Sequence, residues 1–177
     1  MKRRYQVFVA LFGFGLSLLE YAEAQQMKED SETGPVGWLR ACVSSLGQFE
    51  WQPGVERCDL APHIDTCAGI STFEMRACAK TKYDAWMLIV DDTYQALVEH
   101  FETEALDVPL GSKGDWLLRL ETSQADWLRF VDSQCIWEGA DYLGGTGEST
   151  NIIACRARMA RDRAQTLLMD RDWYLRR

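Results

Sequence analysis

The chain has 177 residues, with 27 acidic and 19 basic side chains, and its net charge is −8. This balance argues against a protein that binds nucleic acid or an anionic lipid surface, because both would repel it. A hydrophobic fraction of 47% and seven tryptophans are enough for one domain with a substantial core.

An export signal is predicted at residues 1–24. Three basic residues precede a largely apolar stretch from Tyr5 to Leu19, and Ala22-Glu23-Ala24 offers the small residues that a signal peptidase accepts. The apolar stretch of about 15 residues is shorter than the roughly 20 that span a bilayer, which disfavours an uncleaved anchor. Cleavage would remove three basic and two acidic residues and bring the net charge from −8 to −9. We therefore expect a periplasmic or secreted protein that is not inserted in the membrane after cleavage.

Six cysteines follow this signal: Cys42, Cys58, Cys67, Cys78, Cys135 and Cys155. An even set of cysteines in an exported chain predicts a disulfide framework rather than metal ligands or a catalytic thiol. Many pairings are open, and bridges between neighbours in the sequence close the simplest loops. This favours the pairs Cys42–Cys58, Cys67–Cys78 and Cys135–Cys155, each of which would stabilise the fold by about 3 kcal/mol.

Two short segments precede the main helical part. Residues 25–35 are polar and predict a flexible leader. Residues 36–66 are predicted to form an N-terminal segment pinned by disulfides. Its apolar residues recur at helical spacing from Trp38 to Leu46, which predicts a short helix that ends at Gly47.

Residues 67–177 are predicted to form a helical domain. Ser71 and Glu74 fit a capping box at its first helix. The predicted helices run from about Thr72 to Glu102, from about Lys113 to Trp137 and from about Thr150 to Trp173. Apolar residues recur every three or four positions along each of them, and no segment alternates with a period of two. The predicted fold class is therefore all-α, a small disulfide-stapled helical bundle of three long helices plus a short N-terminal helix.

The sequence carries no strong catalytic or metal-binding motif. The glycine-rich stretch from Gly144 to Thr150 lacks the lysine of a phosphate loop and follows no predicted strand, which favours a connecting turn. Zinc could be held by Cys58, His63 and Cys67, but their spacing is not that of close cysteine pairs, and disulfides compete for the thiols. Neither His63 nor His100 has a recognisable nucleophile partner. We therefore predict a protein that is not an enzyme and uses no metal or cofactor.

Two polar residues fall on predicted apolar stripes. Gln124 lies between Leu120 and Trp127 on the second long helix, and Arg163 lies on the inner face of the last one. The stripe of the second helix also includes Leu128. Buried polar groups need partners, so we predict that Gln124 and Arg163 are structural clamps between helices rather than ligand contacts.

Several short motifs occur at defined distances from one another along the chain. They are Cys67, Glu74-Met75 and Cys78-Ala79 at the start of the first long helix, Tyr94 further along it, Gln124 to Trp127 with Phe130, Asp132 and Cys135 in the second, and Cys155, Arg163 and Leu167 in the last. With this spacing, residues from about Asp65 to Leu168 resemble the LprI-type lysozyme-inhibitor domain of bacterial exported proteins. The polar positions match less well, since Val131 stands where the family has arginine and Ala160 where it has threonine.

The resemblance implies an exported binding protein that inhibits lysozyme, or a related peptidoglycan hydrolase, by steric occlusion. The acidic charge suits a cationic lysozyme, although surplus acid also keeps a secreted protein soluble. The loop from Gly144 to Asn151 is the candidate partner surface, with Gly144, Gly145, Gly147 and Glu148 as its residues. The alternatives are a periplasmic interaction or immunity protein with a non-lysozyme partner and, third, an enzyme.

Overall fold

The computed structural model describes residues 35–46, 57–58, 71–103 and 112–175. These residues form the helices α1 (Pro35–Ser44), α2 (Thr72–Thr103), α3 (Lys113–Gly139) and α4 (Thr146–Leu175), with a short 3₁₀ helix, Ala140–Tyr142, between α3 and α4. Within these ranges there is no strand. The predicted fold class, an all-α bundle of three long helices and a short one, is confirmed. The predicted signal at residues 1–24 lies outside the described ranges.

Two capping boxes set where the long helices begin. The Glu74 backbone N–H donates to the Ser71 hydroxyl at 3.2 Å, and the Ser71 N–H donates to the Glu74 carboxylate at 3.0 Å. Ser112 and Asp115 make the same reciprocal pair at the start of α3. These bonds lower the pKa of Asp115. Each box satisfies backbone donors that the first turn of a helix leaves open, so α2 begins at the predicted residue.

The three long helices run up, down and up. At one end of the bundle, the Phe101 and Tyr174 rings of α2 and α4 lie 5.2 Å apart. At the other end, the Thr150 hydroxyl of α4 donates to the Thr72 carbonyl of α2 at 3.2 Å. Because the ends of α2 and α4 match in this way, the two helices are parallel. Trp116, at the start of α3, packs against Tyr174, so α3 is antiparallel to both.

The main core lies between α1, α2 and α4. Its largest fully buried side chains include Leu39, Trp86, Leu97, Leu167 and Leu168. A second, smaller cluster between α3 and α4 contains Val131, Cys135 and Cys155. The N-terminal half of α3 covers the main core only with partly buried residues. Leu128, predicted to face inward, is 45% exposed, because the inward face of α3 at this level follows Trp127 and Val131 and the next residue points about 100° away.

Small residues carry part of the contact between α2 and α4. Ala157, Ala160 and Ala164 of α4 are buried, as are Ala79 and Ala85 of α2. Side chains of this size let helix backbones approach closely. None of the helices in the described ranges is long and apolar enough to cross a membrane.

The short helix α1 is attached to α2 by packing and charge. Leu39 and Val43 are buried in the main core. The Arg40 guanidinium pairs with the Asp92 carboxylate at 2.6 Å. Cys42 is bonded to Cys58, the pairing that the sequence predicted. The N-terminal segment is therefore attached to the bundle at α1.

Candidate protein-binding site

The connection between α3 and α4 is short and tightly hydrogen-bonded. Only Leu143, Gly144 and Gly145 lie between the 3₁₀ helix and α4. The Gly145 N–H donates to the Tyr142 carbonyl at 2.8 Å. Gly144 has a φ of +74°, a backbone conformation that glycine adopts without a steric penalty. A turn this short leaves its side chains little freedom to change position.

The loop predicted from Gly144 to Asn151 is shorter in the structure, so its predicted extent is wrong. Helix α4 begins at Thr146 instead of about Thr150, so Gly147 and Glu148 lie in its first turn. The Glu148 carboxylate accepts a hydrogen bond from the Gly144 N–H at 2.9 Å, which ties the turn to this helix start. The Asn151 side chain donates to the Gly147 carbonyl at 2.9 Å. Local hydrogen bonds therefore offset the low helix propensity of the glycines.

Three links between α3 and α4 fix the base of this turn. The Cys135–Cys155 disulfide has a Cα–Cα distance of 5.5 Å and is the pairing that the sequence predicted. Arg156 pairs with Asp132. The Arg158 guanidinium lies 2.8 Å from each oxygen of the Glu138 carboxylate. A covalent bond flanked by two ion pairs restrains relative movement of the two helices at this end.

Close packing around two glycines further restrains the turn. A Cβ atom at Gly139 would lie 2.6 Å from Cγ1 of Ile152. A Cβ atom at Gly147 would lie 3.0 Å from Cδ1 of Tyr142, so the tyrosine ring packs against the backbone of α4. The absence of a side chain at these positions allows α3, the turn and the first turn of α4 to fit together.

We expect Gly139→Ala to destabilise the protein by about 1–3 kcal/mol, because the new methyl group would displace Ile152. The higher helix propensity of alanine offsets at most about 1 kcal/mol of this. The measurement is urea unfolding followed by circular dichroism. Gly114→Ala is the matched control within α3, since its Cβ would meet only Ser112 Oγ at 3.7 Å. A Gly139→Ala variant as stable as the Gly114→Ala variant would contradict the packing described here.

Apolar side chains are exposed around this rigid turn. Trp137 is 73% exposed, Leu143 79% and Tyr142 51%. We call these three residues the turn surface. Large exposed apolar side chains on a rigid frame are typical of protein-binding sites, and tryptophan and tyrosine are enriched among residues that dominate binding energy. The arrangement can therefore bind a protein partner by burying apolar area.

The turn surface was not predicted from the sequence. Trp137 lies two residues after the buried Cys135, which places it off the inward stripe of α3. Its exposure could therefore have been predicted from the helical period. Leu143 directly precedes the glycines of the turn, and this position indicated its exposure less clearly than the helical period did for Trp137. The four predicted loop residues instead support the turn through hydrogen bonds and close packing.

Charges at this end of the bundle are mixed rather than uniformly acidic. Asp132 and Glu138 are paired with arginines. Hydrogen bonds from Arg158 and Gln134 lower the pKa of Glu138. Asp141 is exposed beside Tyr142. The turn surface is therefore better suited to apolar contact than to pairing with a strongly cationic partner.

The lowered pKa of Glu138 predicts a pH dependence of stability. Its folded-state pKa lies below its unfolded value, so the stabilisation is complete above the unfolded pKa of about 4.3 and is lost as the pH falls through the folded value. We expect Glu138→Gln to lower the melting temperature near neutral pH and to lose this effect near pH 3. Asp141→Asn, at an exposed carboxylate, is the control. A Glu138→Gln effect that is equal at both pH values would contradict the assignment.

The predicted clamp residues lie together in the middle of the bundle. The Arg163 guanidinium donates to the Gln124 side-chain oxygen at 3.0 Å and to the Ser123 hydroxyl at 3.2 Å. It also lies 5.8 Å from the centroid of the Trp127 ring. Burial lowers the pKa of Arg163. The structure thus brings Gln124 and Arg163 into contact, away from the turn surface.

The residues considered for zinc or catalysis do not form a site within the described ranges. Cys58 is bonded to Cys42, so its thiol is not available for a metal. His63 and Cys67 lie outside those ranges, and the Cys67–Cys78 pair stays a prediction, although Cys78 is disulfide-bonded. His100 packs beside Phe101 at 5.5 Å between ring centroids. No group of three or more metal-ligating side chains occurs in the described part of the chain.

The chain matches a known protein family. The family model described as lysozyme inhibitor LprI matches residues 65–167, which is more than half of the 177-residue chain. The matched range contains α2, α3, the turn surface and most of α4, whereas α1 precedes it. Neither a curated protein nor a solved structure matches the chain.

Proposed function

Since the chain belongs to the lysozyme inhibitor LprI family, we propose that it binds a lysozyme or a related peptidoglycan hydrolase and inhibits it by steric occlusion. The observation that carries this proposal is the turn surface, where Trp137, Tyr142 and Leu143 are exposed on a rigid end of the bundle. An end of the bundle that is ordered before binding can enter a concave substrate cleft with little loss of conformational entropy.

The mechanism we propose needs no catalytic group on the inhibitor. Leu143 and Trp137 would bury apolar area against the walls of the cleft, and Tyr142 would support the turn from its position against Gly147. The disulfide and ion pairs at the base would hold these side chains in position. Substrate would be excluded because the end of the bundle occupies its place.

Charge has a secondary role in this proposal. The net charge, −9 once residues 1–24 are removed, would attract a cationic hydrolase over long range and raise the association rate at low salt. At the turn, the Asp132 and Glu138 carboxylates already have arginine partners. We therefore expect salt to slow association more than it speeds dissociation. Predicted export through residues 1–24 would place the protein where such enzymes act.

A second candidate function uses α1. This helix and its Cys42–Cys58 bridge lie before the range that matches the family. They could give the chain a partner surface of its own, as in a periplasmic interaction or immunity protein. A pull-down from periplasmic extract that yields one stoichiometric non-lysozyme partner, lost on deletion of residues 25–46, would favour this function.

The test of the proposed function is an inhibition assay. Purified protein beginning at residue 25 is added in micromolar excess to lysozymes of several types, and hydrolysis of a peptidoglycan suspension is followed. We expect at least one type to lose most of its activity, with titration to an equimolar end point. Full activity of every type at micromolar excess would refute the proposal.

A further inference from the structure

A second candidate site lies at the opposite end of the bundle. A cavity of about 200 Å³ opens between the ends of α2 and α4 and the start of α3. Its wall includes three aromatic and three polar side chains: Phe101, Trp116, Tyr174, Arg119, Ser123 and Asp170. We call it the aromatic pocket. It is about 40 Å from the turn surface along α4, given a rise of about 1.5 Å per residue.

The three rings of the aromatic pocket come from three different helices. The Phe101 and Trp116 rings are stacked with centroids 5.9 Å apart. Tyr174 meets Phe101 edge-on at 5.2 Å and Trp116 edge-on at 5.5 Å. Phe101 is buried, whereas Trp116 and Tyr174 are half-buried and line the open side. The cluster therefore provides a fixed apolar wall that is not fully covered by the described residues.

The polar side of the aromatic pocket has unused hydrogen-bonding capacity. Asp170 and Arg119 are both exposed at the rim of the pocket, and neither side chain has a hydrogen bond or an ion pair with a residue of the described ranges. Restricted contact with water raises the pKa of Asp170, and this effect outweighs the positive charge of Arg163. A carboxylate at the rim of an open cavity can accept a hydrogen bond from a donor supplied by a ligand.

The side chains that line the aromatic pocket limit the class of ligand that it can bind. A simple cation would be repelled by Arg119 and Arg163, and a simple anion by Asp170. A purely apolar ligand would leave these groups without partners. A sugar ring has apolar C–H faces for aromatic rings, and its hydroxyls both donate and accept hydrogen bonds. The volume is below the roughly 300–1,000 Å³ of sites for drug-sized ligands, so a single ring fits best.

We propose that the aromatic pocket binds one pyranose ring of a neutral saccharide, with the ring packed against Trp116 and Tyr174 and its hydroxyls bonded to Asp170, Arg119 and Ser123. This site goes beyond the proposed inhibition and does not depend on it. Since the pocket and the turn surface lie at opposite ends of the bundle, a glycan and a protein partner can be bound together.

The test is a calorimetric titration with the trimer of N-acetylglucosamine and with maltotriose. We expect saturable binding of at least one trimer at millimolar concentration. Asp170→Asn and Arg119→Gln should each weaken it roughly tenfold, as expected for loss of one hydrogen bond to a charged group. Asp141→Asn, a matched change at the other end of the bundle, should have no effect. Melting curves establish that all variants are folded.

The trimer that binds identifies the source of the sugar. Binding of the N-acetylglucosamine trimer alone indicates cell-wall glycan, and binding of both indicates recognition of a pyranose ring in general. Absence of saturable binding at millimolar saccharide would overturn the proposal. So would affinities that Asp170→Asn and Arg119→Gln leave unchanged, or stronger binding of choline than of either sugar. Lysozyme inhibition by Asp170→Asn should equal that of the unaltered protein, which keeps the two proposals separable.

Discussion

Replacement of Cys135 and Cys155 together by alanine is expected to lower the free energy of unfolding by about 3 kcal/mol and to remove most of the inhibition. The two cysteines are 20 residues apart, and closing a loop of this size restricts the unfolded chain by about that amount. Both side chains are also buried in the smaller core cluster, so their loss removes packing against Met159. The measurements are urea unfolding and the inhibition assay.

Inhibition is expected to be lost because the Cys135–Cys155 disulfide lies at the base of the turn. Without it, α3 and α4 are held together at the base of the turn by side-chain packing and by two ion pairs, and exposed ion pairs contribute little in water. The turn surface would then have to be ordered on binding, at a cost in affinity. Replacement of Cys42 and Cys58 is the matched control, because its loop spans a similar 16 residues but starts in α1, away from the turn. If both double variants inhibit equally well while folded, the turn does not need its rigid base.

The second large effect is expected at the turn surface itself. Leu143→Asp and Trp137→Ala should each weaken lysozyme binding about 30-fold or more, which corresponds to about 2 kcal/mol for a residue that dominates an interface. Their melting temperatures should stay close to that of the unaltered protein, because both side chains are largely exposed in the free protein. Affinity is measured by surface plasmon resonance or by titration of inhibition.

The control for these variants lies on α3, the helix that carries Trp137. Leu118 is 61% exposed on α3, near the opposite end of the bundle from Leu143. Leu118→Asp makes the same chemical change on an apolar surface that we do not assign to the partner. We expect it to bind like the unaltered protein. Equal losses for Leu118→Asp and Leu143→Asp would indicate a general effect of added charge rather than a specific contact.

The long helices and their order could be predicted from the sequence because local signals agree there. Ser71 and Glu74 mark the first residue of α2, and the reciprocal bonds between them are present in the structure. Apolar periodicity then placed Trp86, Leu97 and Leu167 inside, where they are fully buried. These signals act within a few residues of the chain, so no tertiary information is needed to use them.

Features that depend on contact between helices were harder to predict. The buried alanines at positions 157 and 164 have little apolar area of their own and matter only because α2 and α4 run side by side. The glycines at 144 and 145 indicated a turn, but helix α4 starts directly after them because Glu148 accepts a hydrogen bond from the turn. The aromatic pocket combines side chains from three helices. Its members lie too far apart in the sequence to form a motif.

The most direct test of the central claim is hydrogen–deuterium exchange of the protein alone and in complex with a lysozyme that it inhibits. We predict that the enzyme slows amide exchange mainly in residues 137–148, which contain the turn surface and the start of α4. Exchange in α1 should be unchanged. Slowing confined to α1, or to any region that leaves residues 137–148 unaffected, would contradict the assignment of the turn surface as the inhibitory site.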